Sequence, residues 1–390
     1  MNTLKLNPSQ IQAAVDQLTS QPEGVNKLLE IALNSLMKSE REVYLNAAEQ
    51  GNKANGYRAI NGFGIGDSLS LQIPRDRLGH FKPVLLNVMK EQNETLNELC
   101  FELYAKGLTT RDIESITNTI YGQHLSKSQI SRITCSLSDS MSAFRERPLA
   151  DYYPIIYLDA TYIKTKRERV SSEAYYIALA VLPDTTREVI GIYNAPTESA
   201  HVWGEICHDL KQRGLQQSDL FVIDNLTELD SVIEKHFQAS IQKCVLHLKR
   251  STLATAKKSH RAEMANDLAH VFQLENADDT KEALMARAQQ FYQRWGRQYS
   301  HLSLYDDPDR LHYYATYLEY EFDIRNMIYT TNWIERLNKS FKRTIKIRNS
   351  MPNVESALTL LSKVAIDLNS GTYRYPVSRF TASRLFNKKR

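Results

Sequence analysis

The sequence predicts an α/β protein: a mixed sheet core, interrupted by an all-helical stretch and preceded by a mostly helical N-terminal region. Three observations carry this. Residues 155–163, 174–182 and 188–194 are runs rich in β-branched and aromatic residues with short polar connections, which favours an antiparallel meander. Two shorter apolar runs, 220–223 and 241–246, then alternate with amphipathic segments, giving the order βββαβαβ of a mixed sheet with helices. Residues 248–325 keep helical spacing and carry no strand pattern.

At 390 residues the chain has room for about two or three domains. Its 42% hydrophobic and 24% charged content excludes a disordered or collagen-like chain. The longest apolar run, 174–182, falls far short of the ~18 residues a membrane helix needs. Residues 1–10 lack a signal pattern, so a cytoplasmic protein is expected. Cys100, Cys135, Cys207 and Cys244 form no CxxC pair, so neither a disulfide framework nor a zinc ribbon is indicated. No internal repeat is present at solenoid or propeller periods.

The N-terminal elements follow in order. Residues 8–50 read as helix through Leu18, Leu28, Leu29, Ile31, Ala32, Leu36 and Met37, broken once at Pro22-Glu23-Gly24. A glycine-rich polar stretch, 51–66, precedes Leu69, Leu71 and Ile73, which alternate with polar residues as a short strand ended by Pro74. Arg75 and Arg77 follow, as in a small β-ribbon that touches a phosphate backbone. The glycines match neither a dinucleotide fingerprint nor a P-loop. Residues 95–106, 109–121 and 126–141 read as helices, the last opening on a capping-box pattern. The final two resemble a helix-turn-helix, whose second helix would offer Lys127, Ser128, Gln129, Ser131 and Arg132 to a groove. Helical pairs of this kind also occur with no ligand, and that alternative stays open here.

Beyond a linker at 148–154, residues 199–213 carry Val202, Trp203, Ile206 and Leu210 on one face, and 226–237 is a second helix. Within 248–325, Ala262, Leu268, Ala269 and Phe272 mark one helix and Leu284, Ala288, Phe291, Tyr292 and Trp295 another, with a turn at 306–309. A last helix runs from Thr331 to about Lys346. The expected segments are therefore 1–50 (helical), 51–93 (ribbon and linker), 94–147 (helix-turn-helix), 148–247 (first part of the core), 248–325 (helical insertion), 326–370 (last core helix) and 371–390 (basic tail).

Charge is distributed unevenly. Residues 326–390 hold 13 Lys/Arg against 3 Asp/Glu, whereas residues 1–325 are net acidic. A strongly basic end on an acidic chain points to a polyanion such as nucleic acid, or to a solvated tail. Within that end, Ile334, Leu337, Phe341 and Ile345 form one helical stripe, while Glu335, Lys339, Lys342 and Lys346 form another. Arg336 and Arg343 lie further round, and Arg348 follows. One bland reading is a solvated Glu335–Lys339 pair worth a few tenths of a kcal/mol. The other uses Glu335 together with Asp159, at the end of the first core strand, and Asp224, at the end of the fourth. Carboxylates at apolar strand ends aim at the sheet edge where ligands bind, and need compensation if buried. Three carboxylates from separate elements can hold two Mg²⁺ ions, with Mn²⁺ as a substitute, for cutting a phosphodiester. The cations beside Glu335 would then follow a DNA backbone. Cys244-Val-Leu-His247 ends the fifth strand; no second ligand pair at zinc spacing follows, and His247 reads as a hydrogen bonder near such a site or as a structural histidine. Trp203 and Trp295 read as core; Trp333, two residues before Glu335, leaves both readings open.

These residues fall into an ordered set: Asn55-Gly-Tyr57, Ile73-Pro-Arg-Asp-Arg77, Gly107-Leu-Thr-Thr-Arg-Asp112, Ser131-Arg-Ile133, Pro154-Ile-Ile-Tyr-Leu-Asp159-Ala160, Ser199-Ala-His-Val-Trp203, Ile223-Asp224, Lys243-Cys-Val-Leu-His247 and Thr330-Thr-Asn-Trp-Ile-Glu335-Arg-Leu-Asn-Lys339. In this order, over nearly the whole chain, it resembles the Mutator-type family of bacterial insertion-sequence transposases. The resemblance implies a DDE transposase with an RNase H-like core, split by a helical insertion before its last catalytic helix. It implies Asp159, Asp224 and Glu335 as the acidic triad and Cys244 and His247 as the C/DxxH signature. It also implies the element's terminal inverted repeats and target DNA as partners, strand cleavage to a 3′-OH, joining by transesterification, and a homodimer. Many members have Gly after the second Asp; here Asn225 stands there, adding either crowding or a hydrogen bond. The alternatives are a non-catalytic DNA-binding regulator of the same fold and an RNase H-type nuclease without strand transfer.

Overall fold

Five strands form the central sheet in the order β5-β4-β3-β6-β7. They are β3 (Tyr152–Lys166), β4 (Val170–Val181), β5 (Arg187–Ala195), β6 (Gln217–Ile223) and β7 (Ser240–Lys243). In this computed structural model the described residues are 24–47, 52–62, 69–121, 127–196, 199–225, 228–346, 348–381 and 383–387. The chain divides into two compact units, Met1–Leu137 and Ser138–Arg390. The sheet belongs to the second.

β3, β4 and β5 form the expected antiparallel meander, and β6 and β7 add in parallel through helical crossovers. One face of the sheet carries Ile156, Leu158, Phe221, Ile223 and Ile241, packed against Trp203, Ile206, Cys207 and Leu210 of helix Ala200–Gln212 and Leu229 and Ile233 of helix Leu229–His236. Tyr176 meets the Trp203 indole edge-on, 4.8 Å between centroids. Truncating a fully buried Leu158 here would cost about 2–5 kcal/mol. Gly214 closes helix Ala200–Gln212 at φ +121°, where a Cβ would stand 2.7 Å from the Leu149 carbonyl oxygen. The alternation of side chains places Tyr157, Asp159, Val222 and Gln242 on the opposite face. Helices Asn332–Lys346 and Val354–Ser370 pack on that side, against β3 and β5 respectively.

Several strand ends differ from the sequence reading: β3 starts at Tyr152, inside the expected linker, and β6 at Gln217. The segment 164–173 is not a polar loop: β3 runs on to Lys166 and β4 starts at Val170. Thr161, Ile163 and Thr165 stay buried while Tyr162, Lys164 and Lys166 face out, and Met351 exchanges backbone hydrogen bonds with Lys164 and Lys166 (2.8 and 2.9 Å). Asp159 is therefore mid-strand rather than at a strand end. β7 stops at Lys243, so Val245 and Leu246 are helical; Cys244 is the N-cap of helix Val245–Thr255, and its carbonyl accepts from Leu248 N–H at 3.2 Å.

Between β7 and the last core helices, residues 248–325 contain no strand among the described residues. Helices Arg261–Val271 and Lys281–Trp295 bury Leu268, Val271, Leu284, Ala288, Phe291 and Trp295. The expected turn at 306–309 is instead the junction of a 3₁₀ segment and a short helix, Pro308–Leu311, capped by the Asp307 side chain. Gln242, fully buried on β7, fastens this region to the sheet. Its Oε1 accepts from Tyr317 N–H (2.6 Å), and its Nε2 donates to the carbonyls of Lys243 (2.7 Å) and Tyr314 (3.3 Å).

In the first unit, helix Gly24–Ala47 packs on a two-stranded ribbon, β1 (Ala54–Gly62) with β2 (Leu69–Asp76), around Met37, Leu69 and Leu71. The glycine-rich stretch thus supplies the partner strand of the expected ribbon. β2 passes through Pro74, which a two-stranded ribbon tolerates because each strand leaves one side unpaired. Buried Asp76 closes the ribbon, accepting from Asn52 Nδ2 and from the backbone amides of His80 and Phe81. Helices Val84–Ala105, Thr110–Tyr121 and Lys127–Glu146 follow; the first begins earlier than its apolar spacing predicts. The helix expected over 8–20 and residues 122–125 of the split between the helices 109–121 and 126–141 lie outside the described residues. No helix among the described residues is long and apolar enough to cross a membrane.

A carboxylate-lined candidate active site

The sheet register builds the site. Leu158 of β3 pairs with Ile223 of β6, and Ile223 pairs with Lys243 of β7. The next residues along these three strands, Asp159, Asp224 and Cys244, therefore stand side by side at the end of β6 and β7. Neighbouring strands are about 4.8 Å apart, so the three positions lie at one level. The first turn of helix Val245–Thr255 then brings in His247, and helix Asn332–Lys346 brings in Glu335.

The contacts are specific. His247 Nδ1 lies 2.7 Å from Asp224 Oδ1, and His247 Nε2 lies 3.6 Å from Glu335 Oε1. The first contact lacks the alignment of a hydrogen bond, leaving the buried Nδ1 without a true acceptor. The Asp224 carboxylate, and then the Cys244 thiol, push the His247 pKa up to about 10, so the imidazole is a cation at neutral pH. Asp159 is 8% exposed; its Oδ1 accepts from Ala160 N–H (2.8 Å) and its Oδ2 from Asn338 Nδ2 (2.6 Å). Burial first, then the Asp224 charge, push its carboxyl up to about 7 against the opposing Ala160 amide and His247; Glu335 adds a smaller upward push. Asn225 N–H donates to Asp224 Oδ1 (2.6 Å), while Tyr314 donates its hydroxyl to Asn225 Oδ1 (2.7 Å). The bond to Asp224 thus comes from the Asn225 backbone, and the Asn225 side chain is held by Tyr314.

Glu335 sits on the first turn of its helix, where its N–H donates to the Thr331 carbonyl (2.9 Å) and Thr331 Oγ1 lies 3.4 Å from Oε1. The solvated pair with Lys339 does not form: Glu335 turns to His247, and Lys339 has no ion-pair partner among the described residues. One ligand atom each from Cys244, His247 and Glu335 lies within 4.8 Å of the others. Glu335 was singled out in the sequence, but its proximity to Cys244 was not, because it arrives 88 positions after His247 in the chain. Three carboxylates against one imidazolium leave an excess of negative charge, which a divalent cation relieves. Hard carboxylate oxygens, with the orphaned buried Asn338 Oδ1 as an acceptor for its water, fit such an ion.

The remaining sequence-selected residues distribute as follows. Ile334, Leu337, Phe341 and Ile345 are buried, whereas Arg336, Lys339, Lys342, Arg343 and Lys346 are exposed and Arg348 is half-buried. Trp203 and Trp295 are core. Trp333 is half-buried, and the Arg187 guanidinium lies between its ring (4.4 Å) and that of Tyr373 (4.5 Å). In the first unit, Arg75 and Arg77 are exposed at the end of the ribbon. Lys127, Ser128, Gln129 and Arg132 are exposed at the start of helix Lys127–Glu146, with Lys127 3.9 Å from Glu114. Asn338 and Tyr314 were missed: a polar residue at a core position of an amphipathic stripe is the one signal that could have found Asn338.

Comparison with known proteins supplies the class and the family. Residues 1–373 match the family described as "Transposase, Mutator family". The chain belongs to this family of transposases. It is 33% identical over 351 residues to the transposase for insertion sequence element IS1201 of Lactobacillus helveticus, covering 86% of this chain and 92% of the relative. It is 31% identical over 350 residues to the transposase for IS905 of Lactococcus lactis, covering 87% and 88%. With the transposase for IS256 in transposon Tn4001 of Staphylococcus aureus it shares 29% identity over 374 residues, covering 93% and 94%.

Proposed function

We propose that this chain is a DDE-type transposase that binds the terminal inverted repeats of its element, nicks a strand to free a 3′-OH, and joins that end to target DNA. One observation carries the reading. Asp159, Asp224 and Glu335, far apart in the chain, converge around His247 at one end of a mixed sheet. Membership in the transposase family agrees with it. The core is read as RNase H-like, with 248–325 as its helical insertion. The segments 1–50, 51–93, 94–147, 148–247, 248–325, 326–370 and 371–390 keep their assigned roles.

Asp159, Asp224 and Glu335 would hold two Mg²⁺ ions, or Mn²⁺ in their place, which when bound lower the pKa of water and stabilise a leaving oxygen. The protein's own residues do the rest. The sheet fixes two carboxylates on adjacent strands and the helix Asn332–Lys346 sets the third against them. His247, protonated between Asp224 and Glu335, offers a proton beside the reacting phosphate. In nicking, a water oxygen bonds to phosphorus, the P–O3′ bond breaks, and the 3′ oxygen leaves with a proton. In joining, the 3′ oxygen bonds to a new phosphorus and one P–O bond breaks there, so no energy source is consumed. Arg336, Lys339, Lys342, Arg343, Lys346 and Arg348 track the DNA backbone. Arg75 and Arg77 touch phosphates, and Lys127, Ser128, Gln129 and Arg132 read the ends as part of a helix-turn-helix. A homodimer working in the cytoplasm pairs the two ends.

The test is a cleavage and joining assay on labelled duplex carrying the element's end, with Mg²⁺ or EDTA, comparing wild type with Glu335→Gln. Glutamine keeps the shape and removes the charge. Wild type is expected to nick and join only with Mg²⁺, and Glu335→Gln to bind DNA and do neither. Equal cutting by both proteins would refute the assignment of Glu335. Binding without cutting by both would favour a regulatory DNA-binding role.

A further inference from the structure

We propose that Asn338 is a positioning residue for Asp159, holding that carboxylate in register with Glu335 so that the two face a shared divalent ion. The inference rests on the carboxylate reading above and adds a residue to it. Asn338 lies three positions after Glu335, so the two side chains leave neighbouring sides of one helix. Glu335 reaches toward His247, and Asn338, 6% exposed, turns under it onto β3. Its Nδ2 donates to Asp159 Oδ2 at 2.6 Å, while Ala160 N–H holds Oδ1 at 2.8 Å. Each Asp159 oxygen thus has one donor, which fixes the plane of the carboxylate. Each also keeps acceptor capacity, since an ionised carboxylate offers about four lone-pair sites.

The choice of side chain matters. Lys or Arg at this position would neutralise Asp159 and compete with a cation. A second carboxylate would repel it. An amide donates a hydrogen bond and adds no charge. A polar group buried only for packing would have its hydrogen bonds satisfied, and a leucine would fill the space at lower cost. Asn338 has neither advantage, because its buried Oδ1 is without a partner. That oxygen is a free acceptor on the same amide that holds Asp159, suited to water carried by a hydrated ion. The helix that supplies the third carboxylate therefore also sets the first, and the two cannot be moved independently.

Binding of Mn²⁺ alone tests this, read from the electron paramagnetic resonance of the free ion titrated into the full chain without DNA. The proteins are wild type, Asp159→Asn, Asn338→Leu and the double variant, with far-ultraviolet circular dichroism and melting temperature measured in parallel. Leucine keeps the volume and removes the donor. Asn338→Leu is expected to fold and to bind Mn²⁺ about tenfold to a hundredfold more weakly, the usual loss for a group that orients a metal ligand. In the Asp159→Asn background the same change is expected to cause no further loss. Wild-type affinity in folded Asn338→Leu, or a full additive loss in the double variant, overturns the proposal and leaves the carboxylate site standing. Wild-type affinity in Asp159→Asn, or no Mn²⁺ binding by wild type, removes the carboxylate site and this proposal together. Should Asn338→Leu not fold, Asn338→Ser, whose hydroxyl is too short to reach Asp159, is judged by the same criteria.

Discussion

Gln242→Met removes the polar latch between β7 and the region around residues 314–317 while nearly conserving volume. The cost follows from three contacts. The Tyr317 amide, which donates to Gln242 Oε1 at 2.6 Å, is left buried without an acceptor. One such orphan costs about 1–3 kcal/mol. The carbonyls of Lys243 and Tyr314 lose their Nε2 donor at 2.7 and 3.3 Å. At about 0.5–1 kcal/mol for each of these, the total is about 2–5 kcal/mol. In a unit of this size that lowers the melting temperature by about 4–20 °C. Urea titration gives the free energy, and hydrogen exchange of the Tyr317 amide tells where it is lost. Gln242→Glu is a second probe: it keeps an acceptor for Tyr317 but sets a carboxylate against two carbonyls, so it too must destabilise. A loss below about 0.5 kcal/mol in Gln242→Met, with Tyr317 exchange unchanged, would refute the reasoning, because a buried amide cannot be orphaned at so small a cost.

Two further predictions follow from the charges. If the helix Asn332–Lys346 tracks a DNA backbone, the pair Lys342→Gln and Lys346→Gln weakens binding uniformly across sequences and reduces the slope of log K against log salt by about 1.8, at roughly 0.9 per phosphate contact; a slope that stays at the wild-type value assigns these cations to solvent. Burial raises the Asp76 pKa, but the Asn52 amide and the backbone amides of Phe81 and His80 outweigh it and hold the carboxyl at about 2. A depressed folded-state pKa contributes stability that is present above the ordinary carboxyl range and lost as pH falls toward 2. Urea midpoints of the full chain measured at pH 5.5 and 3.0 are therefore expected to fall more for wild type than for Asp76→Asn, and equal falls would exclude Asp76 as the source.

Much of the site was legible because its residues break local rules. Asp159 interrupts an apolar strand, Asp224 directly follows one, and Glu335 opens a helix whose exposed face is rich in cations. Such interruptions are visible in a sequence because period and composition predict something else at those positions. The order of core strands and the stripe Ile334, Leu337, Phe341 and Ile345 were legible for the same reason: they repeat. What escaped depends on register and long-range contact. The continuation of β3 to Lys166 rests partly on backbone pairing with Met351, which no local pattern announces. The helix starting at Val245 has an apolar first turn that reads equally well as strand. Asn338 and Tyr314 matter only through partners far away in the chain, Asp159 and Asn225.

The late arrival of helix Asn332–Lys346 has a consequence for synthesis. A ribosome adding about 5–20 residues per second needs roughly 10–35 s to pass from Asp159 to Glu335. During that interval the strands bearing Asp159 and Asp224 exist without the helix that covers them. A chain broken off before residue 332 would lack the two helices that pack on β3 and β5, leaving that part of the sheet open and attractive to chaperones and proteases. It would also lack Glu335 and Asn338, so on the proposed reading an incomplete copy is chemically silent as well as marked for removal.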